Sequence, residues 1–395
     1  MRLDVRTLPQ TREGLAYVEG GLFPVVTATR DGAVVAVLRG GAGHIGTEGR
    51  IEVVRSLDAG RSWTQPTVVA DSDADDRNPG LGTSPAGTLV LAYHRNFGYD
   101  QTGSIVDRPL ALDQRRPVEA MLTRSHDGGL TWERPRPLGV ELLTDGSPYG
   151  KIVALPDGTL LLPIYAPPRS ALLGERVGEL RENTYCSYLL RSADDGLTWS
   201  DPTLVGVNVD ETALLVLPDG DVLAQMRDSH DGGLWTTRSA DGGRTWSAPA
   251  RLTGPGQHPA DMVRLADGAV LTAYGNRNPP YRVEALVSRD GGRSWLPGRL
   301  AFSGHLYGHT VAEPRPTDMG YPSTVVVRGE TGARGVTLYY HNPSICRPVS
   351  YRQGDDGLRR IDRATDARYA AAGYRAVAVT WDEAELIASI DRYLE

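Results

Sequence analysis

The sequence predicts an all-β chain, a six-bladed β-propeller of four-stranded antiparallel blades with one short C-terminal helix. Three observations carry this. An octapeptide of the form S-x-D-x-G-x-[ST]-W recurs five times, at residues 56–63, 125–132, 192–199, 239–246 and 288–295. A glycine turn leading into an apolar strand interleaves with it at 30–39, 85–94, 156–165, 218–227 and 266–275, with a degenerate sixth copy at 329–340. No helical pattern separates these signals.

Each element has a physical reason. In the octapeptide the Asp accepts hydrogen bonds from backbone N–H groups of its own turn. The Gly supplies a positive φ that other residues resist, and the Trp closes the hairpin with a large apolar plate. This unit is expected at hairpin tips on the outer rim, with no catalytic role. In the second signal, Asp-Gly or its equivalent before a β-rich run opens the second strand of a hairpin. An apolar strand such as Leu214-Leu215-Val216-Leu217 precedes it. The repeat is therefore strand, turn, strand, connection, strand, octapeptide, strand. Six such units without helices between them read as propeller blades. All of 1–395 forms one domain, a length that large all-β folds reach.

The sixth unit lacks the octapeptide. The run at 376–379 is expected to help close the ring with residues near the N-terminus. Asp382 is expected to cap a helix with Leu386, Ile387, Ile390 and Leu394 on one face. Three stretches break the period. Residues 95–120 and 166–184 are long, polar and rich in Arg, and are expected as walls or lids beside a site. Residues 346–372 form a third insertion with no assigned role.

Composition narrows the function. Gly (46) and Pro (27) suit short strands joined by tight turns. A net charge of −7 argues against a nucleic-acid partner. The two cysteines, Cys186 and Cys346, make no disulfide framework and are read as buried or half-buried thiols. No run approaches a membrane span and the first residues lack an apolar signal-peptide core, so the chain is read as soluble and cytoplasmic. Eight histidines without metal-ligand spacing indicate no metal site, and no cofactor is expected.

The octapeptides on a six-unit β chain resemble the Asp boxes of the sialidase (neuraminidase) superfamily, over roughly residues 20–380. The resemblance implies an exo-acting glycoside hydrolase on a carbohydrate, an acidic sugar among the candidates, and it implies roles residue by residue. Glu211, in D-E-T-A-L-L-V-L-P-D-G, resembles the fourth-blade Glu that partners the nucleophile. Tyr321, in D-M-G-Y-P-S-T-V-V-V, resembles the nucleophilic Tyr of the sixth blade, with Asp318 just before it. Arg227, ending Q-M-R, resembles one member of a carboxylate-binding Arg triad. Arg277, favoured over Arg282 in Y-G-N-R-N-P-P-Y-R, resembles another.

The chain departs from the family pattern twice. The first-blade motif aromatic-Arg-Ile-Pro reads Leu22-Phe23-Pro24 here, which leaves Arg39 or Arg77 to supply the third arm. Where the family places an Asp acid/base, this chain has R-G-G-A-G-H-I-G-T-E-G-R, with His44 nearest and Glu48 next.

These residues make chemical sense together. A Tyr hydroxyl with pKa near ~10 is a poor nucleophile at neutral pH and needs a base, which a carboxylate supplies within hydrogen-bond reach. A neutral nucleophile suits a substrate with a negative charge beside the reacting carbon. Arg39, Arg77, Arg227 and Arg277 fall near strand ends on the expected mouth, where guanidinium groups bind carboxylate bidentately. His44 can act as acid or base near neutral pH. His94 and His258 occupy comparable blade positions, and Tyr149 and Lys151 complete the expected ring. Two alternatives stand beside hydrolysis. One is a polysaccharide lyase using His44, His94, Tyr149 and Arg77 next to a uronate; the other is a non-catalytic sugar-binding propeller.

Overall fold

The glycine turns organise the chain as hairpins. Gly32, Gly87, Gly158, Gly220 and Gly268 have φ between 84° and 97°, and each joins two antiparallel strands. The computed structural model describes residues 2–306, 318–329, 332–343 and 351–393. Within them the fold is all-β apart from short helical turns and one terminal helix, and no helix is long and apolar enough to cross a membrane.

Among the described residues the strands form six large sheets in chain order and one small one. The first sheet runs Leu22–Ala28, Val34–Gly40, Arg50–Ser56, Thr67–Ala70. The second runs Asp75–Thr83, Leu89–Asn96, Val118–Ser125, Arg136–Pro137. The third is built on Leu160–Ala166, Cys186–Ser192 and Ser200–Val207, with its broken first strand at Ser147–Pro148 and Val153–Ala154. The fourth runs Val209–Val216, Val222–Asp228, Leu234–Ser239, Ala250–Arg251, and the fifth Gln257–Arg264, Val270–Asn276, Arg282–Ser288, Arg299–Ala301. The sixth pairs Asp318–Gly329, Gly332–Asn342 and Arg375–Asp382, and takes its last strand, Arg12–Val18, from the other end of the chain.

Leu22–Ala28 touches both Asp75–Thr83 and Asp318–Gly329, and Val209–Val216 touches Gln257–Arg264, which touches Asp318–Gly329. Between the second and fourth sheets, Gly150–Lys151 pairs with Asp75–Thr83 and touches Val209–Val216. The first strands are thus in contact in succession and the sixth sheet returns to the first. Apolar side chains fill the space between neighbouring sheets; between the first and second, Val35, Val37, Leu89 and Leu91 are fully buried.

The five octapeptides follow the third strands, and their hydrogen bonds repeat. Ser239 Oγ donates to Asp241 at 2.7 Å and accepts from Gly243 N at 2.8 Å, while Asp241 accepts from Thr245 N at 2.9 Å and Thr245 Oγ1 at 2.6 Å. The Gly before the last three residues does more than take a positive φ. A Cβ added to Gly60, Gly129, Gly196, Gly243 or Gly292 would lie 2.7, 3.3, 2.6, 2.3 and 2.7 Å from Val336, Val35, Val90, Leu189 and Leu223 respectively. These belong in turn to the sixth, first, second, third and fourth sheets, so each octapeptide is pressed against the sheet before its own.

Removing the Asp should therefore loosen one such contact. Asp241→Ala is expected to lower unfolding free energy by about 0.5–2 kcal/mol, as for a side chain capping backbone donors, measured by urea denaturation. The bonds from Thr245 hold the Asp241 carboxyl far below its ordinary value. The stabilisation is therefore full above the unfolded pKa of ~3.9 and is lost as pH falls below it toward the folded value. The difference between wild type and variant should shrink over that acid range.

Asp382 caps the terminal helix Glu383–Tyr393, accepting from Glu385 N at 2.9 Å. Leu386 and Ile390 pack into the core of the fifth and sixth sheets, with Ile387 partly buried against it; Leu394 lies outside the described residues. Cys186 is buried, and burial pushes its thiol up to about 11; Cys346 lies outside the described residues. The small sheet joins two of the insertions: Ile105–Asp107 pairs with Arg359–Ile361, which pairs with Tyr351–Gln353. The loop after Arg39 is tied to the same insertion, since Gly43 N and Ile45 N donate to the carbonyls of Tyr369 and Arg368.

Candidate active site

Proline inside a strand removes a ladder donor, so it belongs at an edge or a bulge. Four first strands of this chain carry one in mid-strand: Phe23-Pro24, Asn78-Pro79, His258-Pro259 and Tyr321-Pro322. At each the register slips by a bulge, and at the fourth sheet the same slip falls on Asp210-Glu211. A bulge re-aims a side chain out of the alternating pattern of its sheet. Phe23, Asn78 and Tyr321 take φ of 52°, 52° and 51°, a conformation that bulky residues resist at a cost of about 1–3 kcal/mol each and that clusters at functional sites.

The residues so turned meet one another. The Phe23 and Tyr321 rings pack edge-on at 4.8 Å between centroids, and Tyr149 and Tyr340 stand 6.0 and 5.7 Å from Tyr321. Tyr321 Oη donates to Glu211 Oε1 at 2.6 Å, and Glu211 Oε2 accepts from Arg227 Nη1 at 2.8 Å. Arg227 Nη1 is also 3.5 Å from Tyr321 Oη. Burial, then the neighbouring Glu211 charge, pushes the Tyr321 hydroxyl well above the ordinary tyrosine range, so the proton rests on the phenol and the carboxylate is placed to take it. Asp210, beside Glu211, is raised by burial against the pull of Arg227.

Cations surround this pair. The Arg277 guanidinium lies 6.0 Å from the Tyr321 ring centre and donates to Met319 O at 3.1 Å, with no carboxylate partner among the described residues. Arg77 lies 5.6 Å from the Phe23 ring centre and is steered by Asp75 and Asn78, each at 3.3 Å.

His44 also packs edge-on with Phe23, 5.0 Å between ring centres. Its Nδ1 is 2.7 Å from Asp318 Oδ2. Asp318 also accepts from the hydroxyls of Tyr340, at 3.0 Å, and Tyr374. Burial would raise the Asp318 carboxyl, but His44, Arg277 and Tyr374 hold it well below the usual range. Burial, with the charges of Arg77 and Arg368, lowers the His44 imidazole against the raising pull of Asp318. Glu48, the other titratable group of that loop, is exposed and turned to Arg363.

A family model described as a BNR repeat-like domain matches residues 32–333. The chain belongs to the BNR-repeat sialidase superfamily. A sialidase of Micromonospora viridifaciens is 29% identical over 234 residues, and one of Bacteroides fragilis 25% over 237. Each match takes in 57% of this chain and 35% of the relative, so the chain spans about a third of the length of these curated relatives. Among solved structures, a Dyadobacter fermentans protein of unknown function superposes with a TM-score of 0.67 at 21% identity, over 95% of this chain and all of that one. A Trypanosoma rangeli sialidase in complex with sialic acid superposes with a TM-score of 0.62 at 14% identity, over 99% of this chain and 61% of that one. At these identities the superpositions show the fold.

Within this superfamily scaffold, the sequence-based candidates divide. Tyr321, Glu211, Arg227, Arg277, Arg77 and Tyr149 come together around one point, and His44 borders it. Tyr149 forms a wall, its hydroxyl donating to Ala260 O at 3.0 Å. His258 is buried at its bulge, its Nδ1 against Gly232 O. Lys151 is drawn to Asp261 at 2.8 Å and to the carbonyls of Met262 and Thr324.

Two expectations are corrected. Arg39 does not reach the mouth: it has no exposed surface and is locked by two bonds to Asp75 Oδ1, at 2.6 and 3.1 Å, and one to Gly46 O at 3.0 Å. His94 is 1% exposed, with burial and the charges of Arg116, Arg77 and Arg39 pressing it to the neutral form, so it lines no mouth either. The sequence assigned no site role to Phe23, seen only as part of Leu22-Phe23-Pro24, or to Asn78, although the repeated residue-proline pair in the first strands was a signal for both.

Proposed function

We propose that the six sheets are blades of a closed six-bladed propeller and that the chain is an exo-acting, retaining glycoside hydrolase of sialidase type on an acidic sugar. The observation that carries this is the 2.6 Å bond from Tyr321 to Glu211 inside a group of arginines. Arg277, Arg227 and Arg77 hold the sugar's carboxylate, with Arg77 serving where Leu22 stands in place of an arginine. Glu211 takes the phenolic proton as Tyr321 Oη bonds to the anomeric carbon. The glycosidic C–O bond breaks, and the departing oxygen receives a proton from His44. Water then gives a proton to His44 and attacks the same carbon, and Tyr321 Oη leaves with the proton held by Glu211.

The test is a screen of aryl glycosides and uronate polysaccharides with products identified by mass. Release of a free acidic monosaccharide is expected. An unsaturated uronate, absorbing in the ultraviolet, would instead establish β-elimination, and binding without any turnover would establish a lectin-like role.

His44→Ala tests the acid. It should cost roughly 10²–10⁴-fold on a substrate with a poor leaving group, and far less on an activated aryl glycoside, whose departure needs little protonation. Because burial lowers the His44 pKa, the donor form is lost as pH rises through a value below the ordinary ~6.5. The alkaline limb of kcat/KM should therefore lie on the acid side of that value. Equal losses on both substrates would mean that His44 positions the sugar and donates no proton.

A further inference from the structure

A cavity of about 180 Å³ lies between the end of strand Leu89–Asn96, the 105–118 connection and Tyr185. It adjoins the Tyr321 cluster through Tyr165, whose ring packs edge-on at 5.2 Å from Tyr185 and whose hydroxyl accepts from the bulge residue Asn78 at 2.9 Å. Tyr165 shares one buried cluster with Tyr149 and Tyr321.

The lining is rich in unspent donors. Arg116 is half-buried, its guanidinium 5.3 and 5.9 Å from the ring centres of Tyr185 and Tyr165, and it donates to Ser147 Oγ at 2.9 Å. Among the described residues no carboxylate comes within ion-pair distance of it. Asn96 is 8% exposed; its Oδ1 accepts from Gly98 N at 2.8 Å, which leaves Nδ2 without a partner among the described residues. The same holds of the Gln114 side chain and of the exposed Arg108. Asp107, the acid among the lining residues, is spent on Arg359 at 2.6 Å. A guanidinium without a carboxylate partner and an amide with a free N–H, side by side on one cavity wall, are donors suited to an anion.

We propose that this cavity is a second sugar subsite. It takes a unit bearing a carboxylate or sulfate next to the sugar cleaved at Tyr321, with Arg116 and Asn96 as its binding residues. The inference rests on the hydrolase reading for what is cleaved, but not for what is bound.

Calorimetric titration of the full chain with glucuronate, galactose 6-sulfate and glucose tests it. The two anionic sugars should bind and glucose should not; the tighter of the two names the anion. Arg116→Ala should weaken that binding by about 10-fold or more, the loss of one charged hydrogen bond. Arg277→Ala, which alters the central site, should leave a binding step that still depends on Arg116. Should Arg116→Ala fail to fold, Asn96→Ala and Arg108→Ala carry the same expected direction. Equal binding of glucose and glucuronate would overturn the proposal, as would losses in Arg277→Ala alone. Neither measurement involves turnover. A protein that binds glucuronate through Arg116 but hydrolyses nothing loses only the hydrolase reading, and an active one indifferent to Arg116 loses only the subsite.

Discussion

Tyr321→Phe is expected to lower kcat on the best aryl glycoside by on the order of 10⁴-fold or more, the scale on which removing a nucleophile acts, with KM changed far less. The phenylalanine keeps the ring that packs on Phe23, Tyr149 and Tyr340, so it removes the hydroxyl and leaves the walls. It also leaves Glu211 Oε1 without its donor, while Oε2 keeps Arg227. A modest stability change of about 1–3 kcal/mol is therefore expected beside the catalytic loss. Glu211→Gln should cost about 10²–10⁴-fold. The two losses should not multiply in the double variant, because the carboxylate acts only through the phenol. Steady-state rates on wild type, both single variants and the double decide this. A Tyr321→Phe protein with near-normal kcat would remove the tyrosine from the chemistry.

Arg39→Ala is expected to be the most destabilising substitution near the site, lowering unfolding free energy by about 3–5 kcal/mol, as when one partner of a buried ion pair is deleted. Neither Arg39 nor Asp75 has exposed side-chain surface, and they meet at 2.6 Å. Without the guanidinium, Asp75 stays buried with Tyr99 and Arg77 as its partners, and Gly46 O loses a donor in the loop that carries His44. Chemical denaturation reads the stability. The same variant should raise KM, because Asp75 is one of the two groups steering Arg77 over Phe23. Unchanged stability would mean that Arg39 is dispensable under the mouth.

The sequence made the boxes and glycine turns legible because each is complete within eight to ten residues. Ser239, Asp241 and Thr245 bond to one another whatever the rest of the chain does. Glu211 and Tyr321, 110 residues apart, were legible only through family resemblance; nothing local brings their side chains together. Arg39 and His94 misled for the same reason. An Arg or His at a strand end reads as mouth-facing until a distant partner decides otherwise, and Asp75, 36 positions from Arg39, decides it. The 346–372 insertion carried no readable role because its strand pairs with 105–107, far off in the chain.

Each octapeptide locks its sheet to the one before, and five locks serve six junctions. The junction without one lies between the fifth and sixth sheets, where the chain ends. There both ends of the described chain do the fastening: Arg2–Asp4 pairs with Arg299–Ala301 of the fifth sheet while Arg12–Val18 pairs in the sixth, Glu383 accepts from Ala266 N at 2.9 Å on the fifth sheet, and Leu386 and Ile390 pack with Leu265, Leu271, Val379 and Trp381 across both. In the proposed ring, the junction without an octapeptide is the preferred place to come apart. Fraying, protease nicking or mechanical opening should begin at that seam, and the five boxed junctions should open after it.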